Sequence, residues 1–459
     1  MAFDELCEWS EPVSIRILAA SALAGLAVLS AAAPARAQIG LPGGVPGLPG
    51  LPGGLPDRLP VDPNRLQDGL RDRVDGGLQA PPRLRDLIRR SDGALEADPY
   101  GWPVVRAEIV AVDPSPAGRR AAVEAGFTIV REERLDGLDL AVVVLAPPRG
   151  LSLRRAVERL RDLDPGGAYE FNHVYSPAGT LAEAAPPPAP AVEPGPGGSS
   201  SGAAQGGGVR LGLIDTGVDA DHPALAGLTI RQRGFAGANR PGVHGTAVAS
   251  LLAGRSGGFS GAAPGAAVFV ADVYGGSPSG GASTGVAQAL AWMVENDVAV
   301  VNVSLVGPRN ALIEAAVRRA AGRGVLIVAA AGNDGPAAPP LYPASYPDVV
   351  GVIAVNARGR ALPEAARGPQ VDFAAPGADM AAAGSGQGYV SVRGASFAAP
   401  LVAGLLARQR GGGDAVQALA AEARDLGARG PDPVYGRGLV AADLRVDPAA
   451  VGARGRLAR

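Results

Sequence analysis

Cysteine is nearly missing: Cys7 is the single one in 459 residues, so no disulfide can form within the chain. Stability in an oxidising compartment would have to come from packing alone. Aromatic residues make up only 4% of the sequence, so the core must be built from Ala, Val and Leu. An excess of one charge sign is lacking too. The net charge of −2 and pI near 6.0 give no reason to expect nucleic acid or an anionic membrane surface as partner. Histidine is scarce, with His173, His222 and His244 the only three, which narrows the search for a base that works near neutral pH. Glycine and proline, by contrast, are in excess. Their 67 and 42 residues are too many for one compact domain, so some stretches must be linker. This length leaves room for two or three domains plus tails.

Residues 1–37 read as a signal peptide. An apolar run from Ile17 to Ala33 precedes Ala35-Arg36-Ala37, an A-x-A cleavage site that makes Gln38 the first exported residue, bound for a periplasm or the outside of the cell. The run is shorter than the ~20 residues a spanning helix needs, so no stable membrane insertion is expected after cleavage. The leader before it carries Asp4, Glu5, Glu8 and Glu11 against Arg16 alone, which translation starting nearer Val13 would explain. No cysteine follows the run, which argues against a lipid anchor there. Residues 38–103 read as a spacer and a charged segment. Leu-Pro-Gly repeats from Ile39 to Pro60, but the glycine period breaks at Gly43-Gly44 and Gly53-Gly54. That excludes a collagen triple helix and leaves a solvated polyproline-like spacer. Asn64 to Arg90 mixes charges with helical spacing of Leu and Val, a surface helix with no function assigned.

Residues 104–178 read as a small α+β unit. Strands are expected at Val104–Val112, Phe127–Arg134, Leu138–Leu145 and Ala168–Tyr175, with helices at Pro116–Ala125 and Ser152–Leu163. This β-α-β-β-α-β order is the ferredoxin-like arrangement, which alone says nothing of function. Residues 179–208 are Ala, Pro, Gly and Ser with almost no charge: a linker, and the obvious place for the chain to be cut. From Val209 to Asp447 the pattern alternates. Short β-branched runs at Val209–Ile214, Val268–Val273, Val298–Val303, Val325–Ala330 and Val349–Val355 are separated by helical segments at His244–Ala253, Thr284–Glu295, Asn310–Ala321 and Ser396–Arg408. That predicts an α/β, doubly wound, mainly parallel sheet, with reactive groups at the carboxyl ends of its strands. Residues 448–459 are a tail.

Four motifs in this second domain carry chemistry. Asp215-Thr216-Gly217 follows the first strand, and His244-Gly245-Thr246 begins a helix of small residues. Ala330-Ala331-Gly332-Asn333 ends a strand, and Gly394-Ala395-Ser396-Phe397-Ala398-Ala399-Pro400 sets a serine at a helix start. Singly each has an ordinary reading: a strand-end Asp capping a turn, a loop Asn, an N-cap Ser. Together they place an acid, a base and a nucleophile in the order Asp, His, Ser, one of the known ways a chain assembles an acyl-transfer triad. A serine at a helix start lies beside unpaired N–H groups and the positive end of the dipole. Those groups and an Asn amide can hold a developing oxyanion. His244 is the best placed of the three histidines; His222 reads as structural and His173 falls in the first unit.

These motifs resemble the subtilisin-like serine proteases. Val218-Asp219-Ala220-Asp221-His222-Pro223 extends Asp215 into that family's D-x-G-x-D-x-x-H-P signature, and Gly436 to Ala442 matches its usual end. The resemblance covers Val209 to about Asp447 and, more loosely, the α+β unit. It implies a secreted or periplasmic endopeptidase acting on polypeptides through Asp215, His244 and Ser396, with Asn333 at the oxyanion. It implies a cleft walled by Ser304, Leu305, Val306 and Gly307, with Ser279, Gly280 and Gly281 opposite and Ala331 and Gly332 beside them. It also implies that residues 104–178 act as an inhibitory pro-domain of a self-cutting precursor, and it calls for no cofactor. Several positions depart from the family's pattern. Ala395 stands where Thr is common, Phe397 where Met is common, Val306 where Gly is usual in the cleft wall, and Leu401 and Ala247 where histidines are common. Ala224 replaces an Asp of calcium-binding members and the loop after the helix at His244 is short, so the main calcium site of those members is expected to be absent and no metal-ligating residue is named.

Two other classes remain to be weighed. A catalytically silent relative that binds peptides would be signalled by loss of a triad residue, and none is lost. An esterase of the α/β-hydrolase type is disfavoured because Ser396 lacks the G-x-S-x-G elbow and the chain order of the triad differs.

Overall fold

The computed structural model describes residues 80–181, 208–409 and 414–453. The expected signal peptide, the Leu-Pro-Gly spacer and most of the linker lie outside the described residues. No helix among the described residues is long and apolar enough to cross a membrane.

Helix α1 (Pro82–Arg90) and strand β1 (Leu95–Ala97) lead into β2 (Pro103–Val112), α2 (Pro116–Glu124), β3 (Thr128–Leu135), β4 (Leu140–Ala146), α3 (Leu153–Leu163) and β5 (Ala168–His173). The long strands are antiparallel in the order β5-β2-β4-β3. Helix α2 starts where its sequence directs, with the Ser115 hydroxyl accepting from the Gly118 N–H at 2.9 Å and Pro116 at the first helical position. Strand alternation divides the sheet between two cores. Ile109, Ala111, Val143 and Leu145 pack with Leu153, Val157 and Leu160 of α3, whereas Val110, Val112, Leu140 and Val142 join the core of the unit that follows. Both faces are therefore buried. The structured region also begins before Val104: Ala80, Leu84 and Trp102 are buried, and β1 pairs with the first residues of β2.

Two short strands come next, β6 (Ser176–Pro177) and β7 (Thr180–Leu181), so the first residues of the expected linker are paired strand. Then β8 (Arg210–Asp215), β9 (Ile230–Gly234), α4 (Val243–Ala253), the β10–β11 hairpin (Arg255–Ser256, Phe259–Ser260), β12 (Ala267–Asp272), α5 (Ser283–Glu295), β13 (Val300–Val303) and β14 (Leu305–Val306) follow. The rest is α6 (Ala311–Gly322), β15 (Leu326–Ala330), β16 (Val349–Val355), β17 (Phe373–Pro376), β18 (Met380–Ala383), β19 (Tyr389–Arg393), α7 (Ala395–Gln409) and α8 (Ala415–Glu422). Seven strands make one parallel sheet, ordered β17-β16-β15-β13-β8-β12-β9. The doubly wound α/β arrangement is thus present. Its inner strands are almost wholly buried, β16 along its entire length, because helices cover both faces, whereas the edge strand β9 is partly exposed. The chain winds outward in both directions from β8, which puts a crevice at the carboxyl end of that strand.

Few aromatics mean that close helix packing fills the interior. Every residue of α4 from His244 to Ala253 is buried, and α4 lies against α7. Gly404 of α7 has no room for a side chain, since a Cβ there would meet the Ala262 Cβ at 2.5 Å.

One buried side chain ties the two units together. Asn310 accepts from the Leu312 and Ile313 N–H groups at 3.0 and 3.3 Å, capping α6. Its amide nitrogen donates to the Phe171 carbonyl at 3.0 Å and to His173 Nδ1 at 3.0 Å. His173 then carries its proton on Nε2, facing Asp98 Oδ2 at 3.3 Å. Asn310→Ala removes a cap and leaves two acceptors of the first unit unpaired. It is expected to lower unfolding stability by about 2–4 kcal/mol, read from the urea midpoint on an uncut Ser396→Ala background. A midpoint unchanged by the substitution would contradict this.

Candidate active site

Asp215 ends β8 and is fully buried, aimed into the crevice. Its Oδ1 accepts from the Thr216 N–H at 2.7 Å. His244 Nδ1 stands 2.8 and 2.9 Å from the two carboxylate oxygens. A carboxylate can only accept, so the imidazole proton sits on Nδ1 and Nε2 is left with its lone pair. Nε2 is buried with no hydrogen-bond partner among the described residues. The Phe397 ring packs against the imidazole at a centroid distance of 5.3 Å.

Ser396 lies in the first turn of α7 and is fully buried. Its hydroxyl donates to the Ser304 carbonyl at 3.0 Å, so no hydrogen bond joins it to His244 in this arrangement. Ser304 in turn donates from its own hydroxyl to the Ser396 carbonyl at 2.9 Å. Asn333 is aimed by its carbonyl end: Oδ1 accepts from the Ala395 N–H at 3.0 Å, which leaves the amide NH₂ facing the cleft. That NH₂ donates to the carbonyl of Ala178, and the Ser396 N–H donates to the same oxygen at 3.1 Å. One peptide carbonyl of the chain thus sits between two donors beside the serine. Gly394 makes this approach possible. It has φ +129°, and a Cβ there would meet the Gly179 Cα at 2.8 Å and the Ala178 oxygen at 2.9 Å.

Residues 174–181 cross the cleft in one extended piece. Tyr175 donates from its N–H to the Gly281 carbonyl at 2.8 Å, and β6 runs antiparallel to β14, with Ser176 opposite Val306 and Pro177 opposite Leu305. The Ala178 N–H donates to the Ser304 carbonyl at 3.2 Å. Past the serine, β7 pairs with β19, Leu181 opposite Val392. The chain is held as an added strand on both sides of Ser396. Tyr175 anchors it. The ring is 1% exposed, its hydroxyl donates to the Pro308 carbonyl at 2.8 Å, and its carbonyl accepts from the Tyr274 hydroxyl at 3.0 Å. Burial pushes the Tyr175 phenol well above its usual range, with Tyr346 among the smaller causes, so the group stays protonated and donates. Gly307 and Gly281 leave space for it: a Cβ at Gly307 would meet the ring at 2.7 Å, and one at Gly281 would meet the Tyr175 carbonyl at 2.2 Å.

Of the residues expected from sequence, Ser304, Leu305, Val306, Gly307 and Gly281 touch this strand. Ser279 and Gly280 belong to the turn before Gly281, where the Gly280 N–H donates to the Ser277 carbonyl at 3.0 Å. Ala331 and Gly332 carry the chain from β15 into Asn333, Ala331 donating to the Val352 carbonyl at 2.9 Å and Gly332 taking φ +110°. His222 accepts from the Ala224 N–H at 3.1 Å, and its Nε2 lies 2.9 Å from the Gly388 carbonyl, a structural post away from the crevice. Sequence reasoning missed Tyr175, Ala178, Tyr274 and the β19 edge. A lone aromatic at the end of a strand and just before a low-complexity stretch was the one available signal. It also missed Asp272, a buried carboxylate that accepts from the Tyr274 and Gly275 N–H groups at 2.9 Å and so holds the loop that carries Tyr274.

The model of the subtilase family, Peptidase_S8, matches residues 206–426. Subtilisin Savinase of Lederbergia lenta is 37% identical over 210 residues, covering 44% of this chain and 76% of that protein. The thermostable alkaline protease of Halalkalibacterium halodurans is 35% identical over 210 residues, covering 44% of this chain and 56% of that one, so the match spans only about half of the longer relative. Among solved structures, fervidolysin from Fervidobacterium pennivorans, described as a keratinolytic enzyme related to subtilisin, aligns with a TM-score of 0.59 over 77% of this chain and 62% of that chain. At 21% identity that likeness concerns the fold.

Proposed function

The chain belongs to the subtilase family, and from that premise we propose that it is a serine endopeptidase made as a precursor whose own N-terminal unit fills the cleft and is cut there. One observation carries the reading: the Ala178 carbonyl lies between the Ser396 N–H and the Asn333 amide, with the Asp215–His244 pair alongside. Rotation of the Ser396 hydroxyl away from the Ser304 carbonyl brings its proton to the free Nε2 of His244. Oγ then attacks the Ala178 carbonyl carbon, and the two donors hold the oxyanion. Collapse breaks the bond to Gly179, whose nitrogen takes the proton from His244. Water, deprotonated by His244, adds to the acyl-enzyme; the ester bond to Ser396 breaks, its oxygen takes the proton back from His244, and Ala178 leaves as a carboxylate. Asp215 keeps the imidazole in the required tautomer throughout.

The N-terminal unit acts in this reading as a ferredoxin-like inhibitory pro-domain. Support comes from its strand order β5-β2-β4-β3, from the sheet face shared with the second unit's core, and from a strand that enters the cleft directly after β5. Polypeptides are then the substrates. Export to a periplasm or the outside belongs to the same reading and rests on the apolar leader with its A-x-A site. A silent peptide-binding relative would draw on the hydroxyl's bond to Ser304. One side-chain rotation removes that difference, and no triad residue is missing.

Asn333→Ala in the full chain tests the oxyanion assignment. Self-cutting is expected to slow by about 10²–10³-fold, the loss measured for such an Asn in subtilisin itself. An unchanged rate would contradict the role.

A further inference from the structure

We propose that the cleft cuts extended segments directly before a glycine, and that Phe397 is the residue confining the position after the scissile bond to glycine. The inference rests on the endopeptidase reading above and adds its substrate class.

A Cβ built at Gly179 would lie 2.6 Å from Cε2 of Phe397 and 3.1 Å from the Ser396 Cβ. Neither contact is tolerable without movement, and neither neighbour is free to move. Ser396 must keep its place for the carbonyl it faces. Phe397 is fully buried, and its ring lies against the imidazole of His244 at 5.3 Å, so yielding space to a substrate side chain would press on the base. The position after the scissile bond is therefore closed to anything larger than glycine, by a ring that is itself packed against the reacting groups.

The opposite end of the segment is selected by attraction. The pocket that receives Tyr175 is shaped by two positions without side chains, Gly281 and Gly307, and ends at the Pro308 carbonyl, which accepts the phenol proton at 2.8 Å. A large ring with a donor at its tip fills it. Between the two ends, Ser176 and Pro177 are held by main-chain pairing to β14, which reads no side chain. Val306 is fully buried opposite Ser176 and adds bulk to this wall. The chain's own Tyr175 to Gly179 is thus anchored by its ring at one end and confined to glycine at the other.

Four full-length proteins test this: wild type, Gly179→Ala, Phe397→Ala, and the double variant. Each is followed by intact mass and by the first residue of its C-terminal piece. The expected result is that Gly179→Ala slows cutting after residue 178 by about tenfold or more relative to wild type. In the double variant, cutting after residue 178 is expected at a rate close to that of Phe397→Ala alone, because the ring that excluded the methyl group is gone. A merely structural role for Phe397 would give no such rescue. Wild type and Gly179→Ala cut alike at this bond would overturn the inference while leaving the endopeptidase reading intact. A double variant slower than Phe397→Ala by the same factor would overturn the role of Phe397. Failure of all four to be cut would overturn the endopeptidase reading and the inference with it.

Discussion

Full-length protein carrying Ser396→Ala stays whole, while the wild type separates into two pieces at the bond between Ala178 and Gly179. The expected difference in rate is about 10⁶-fold, the scale measured for removal of the serine in subtilisin rather than one read from this geometry. The reason lies in what survives the substitution. The strand from Val174 to Leu181 keeps its main-chain pairing on both sides, and the Ala178 carbonyl keeps its two donors, so the bond remains bound and polarised. What is lost is the one group able to attack it. Because Asp215, His244 and Ser396 act as a unit, adding His244→Ala to the Ser396→Ala protein is expected to slow residual cutting little further. Intact mass over time, with equal protein concentrations, reads both comparisons. Equal cutting of the wild type and Ser396→Ala would contradict the assignment of the nucleophile.

Tyr175→Ala is expected to release the cleft. After the cut, residues up to Ala178 still occupy it as product, and Tyr175 is the largest side chain holding them there, fully buried, with its hydroxyl and N–H donating and its carbonyl accepting hydrogen bonds. Truncating a buried aromatic side chain costs about 3–5 kcal/mol. Applied to the bound strand, that weakens its hold by about 10²–10³-fold. Tyr175→Phe keeps the ring and loses one hydrogen bond of about 1 kcal/mol, a change of only severalfold. Hydrolysis of an added unfolded protein, measured per molecule already cut, reads the effect. The expected order of activity is Tyr175→Ala well above Tyr175→Phe, with wild type lowest. Equal activity in all three would mean that the strand does not hold the cleft closed.

The sequence could nominate Asp215, His244, Asn333 and Ser396 because their motifs occur together and in one order. A carboxylate directly after a β-branched run, a helix-starting histidine among small residues, and a glycine before a helix-starting serine are each ordinary alone, and it is their combination that has few alternatives. Five of the seven parallel strands were legible as continuous apolar runs, whereas the edge strands β9 and β17 were not expected, the first alternating with charge and the second only four residues long. Ser279 and Gly280 illustrate the limit. They lie beside the ladder rather than in it, since only Gly281 meets the strand, and a one-residue register is not written in composition. Thr180 and Leu181 read as linker because strand addition is made by main-chain bonds that any residue supplies. The burial of both faces of β2 and β4 was hidden too. Alternation shows that a strand has two faces, but a short run of Val, Ala and Leu does not say which other helix covers the second. The crowding of Gly179 by Phe397 depends on two residues 218 positions apart in the chain, a contact only the fold creates.

The first residue of the C-terminal piece released by wild-type protein, read by Edman chemistry or by mass, tests the central claim most directly. The account predicts Gly179, because the carbonyl held between Ser396 and Asn333 belongs to Ala178. A piece beginning elsewhere, for instance near Val209 at the start of the parallel sheet, would mean that the strand in the cleft is not the bond this site cuts.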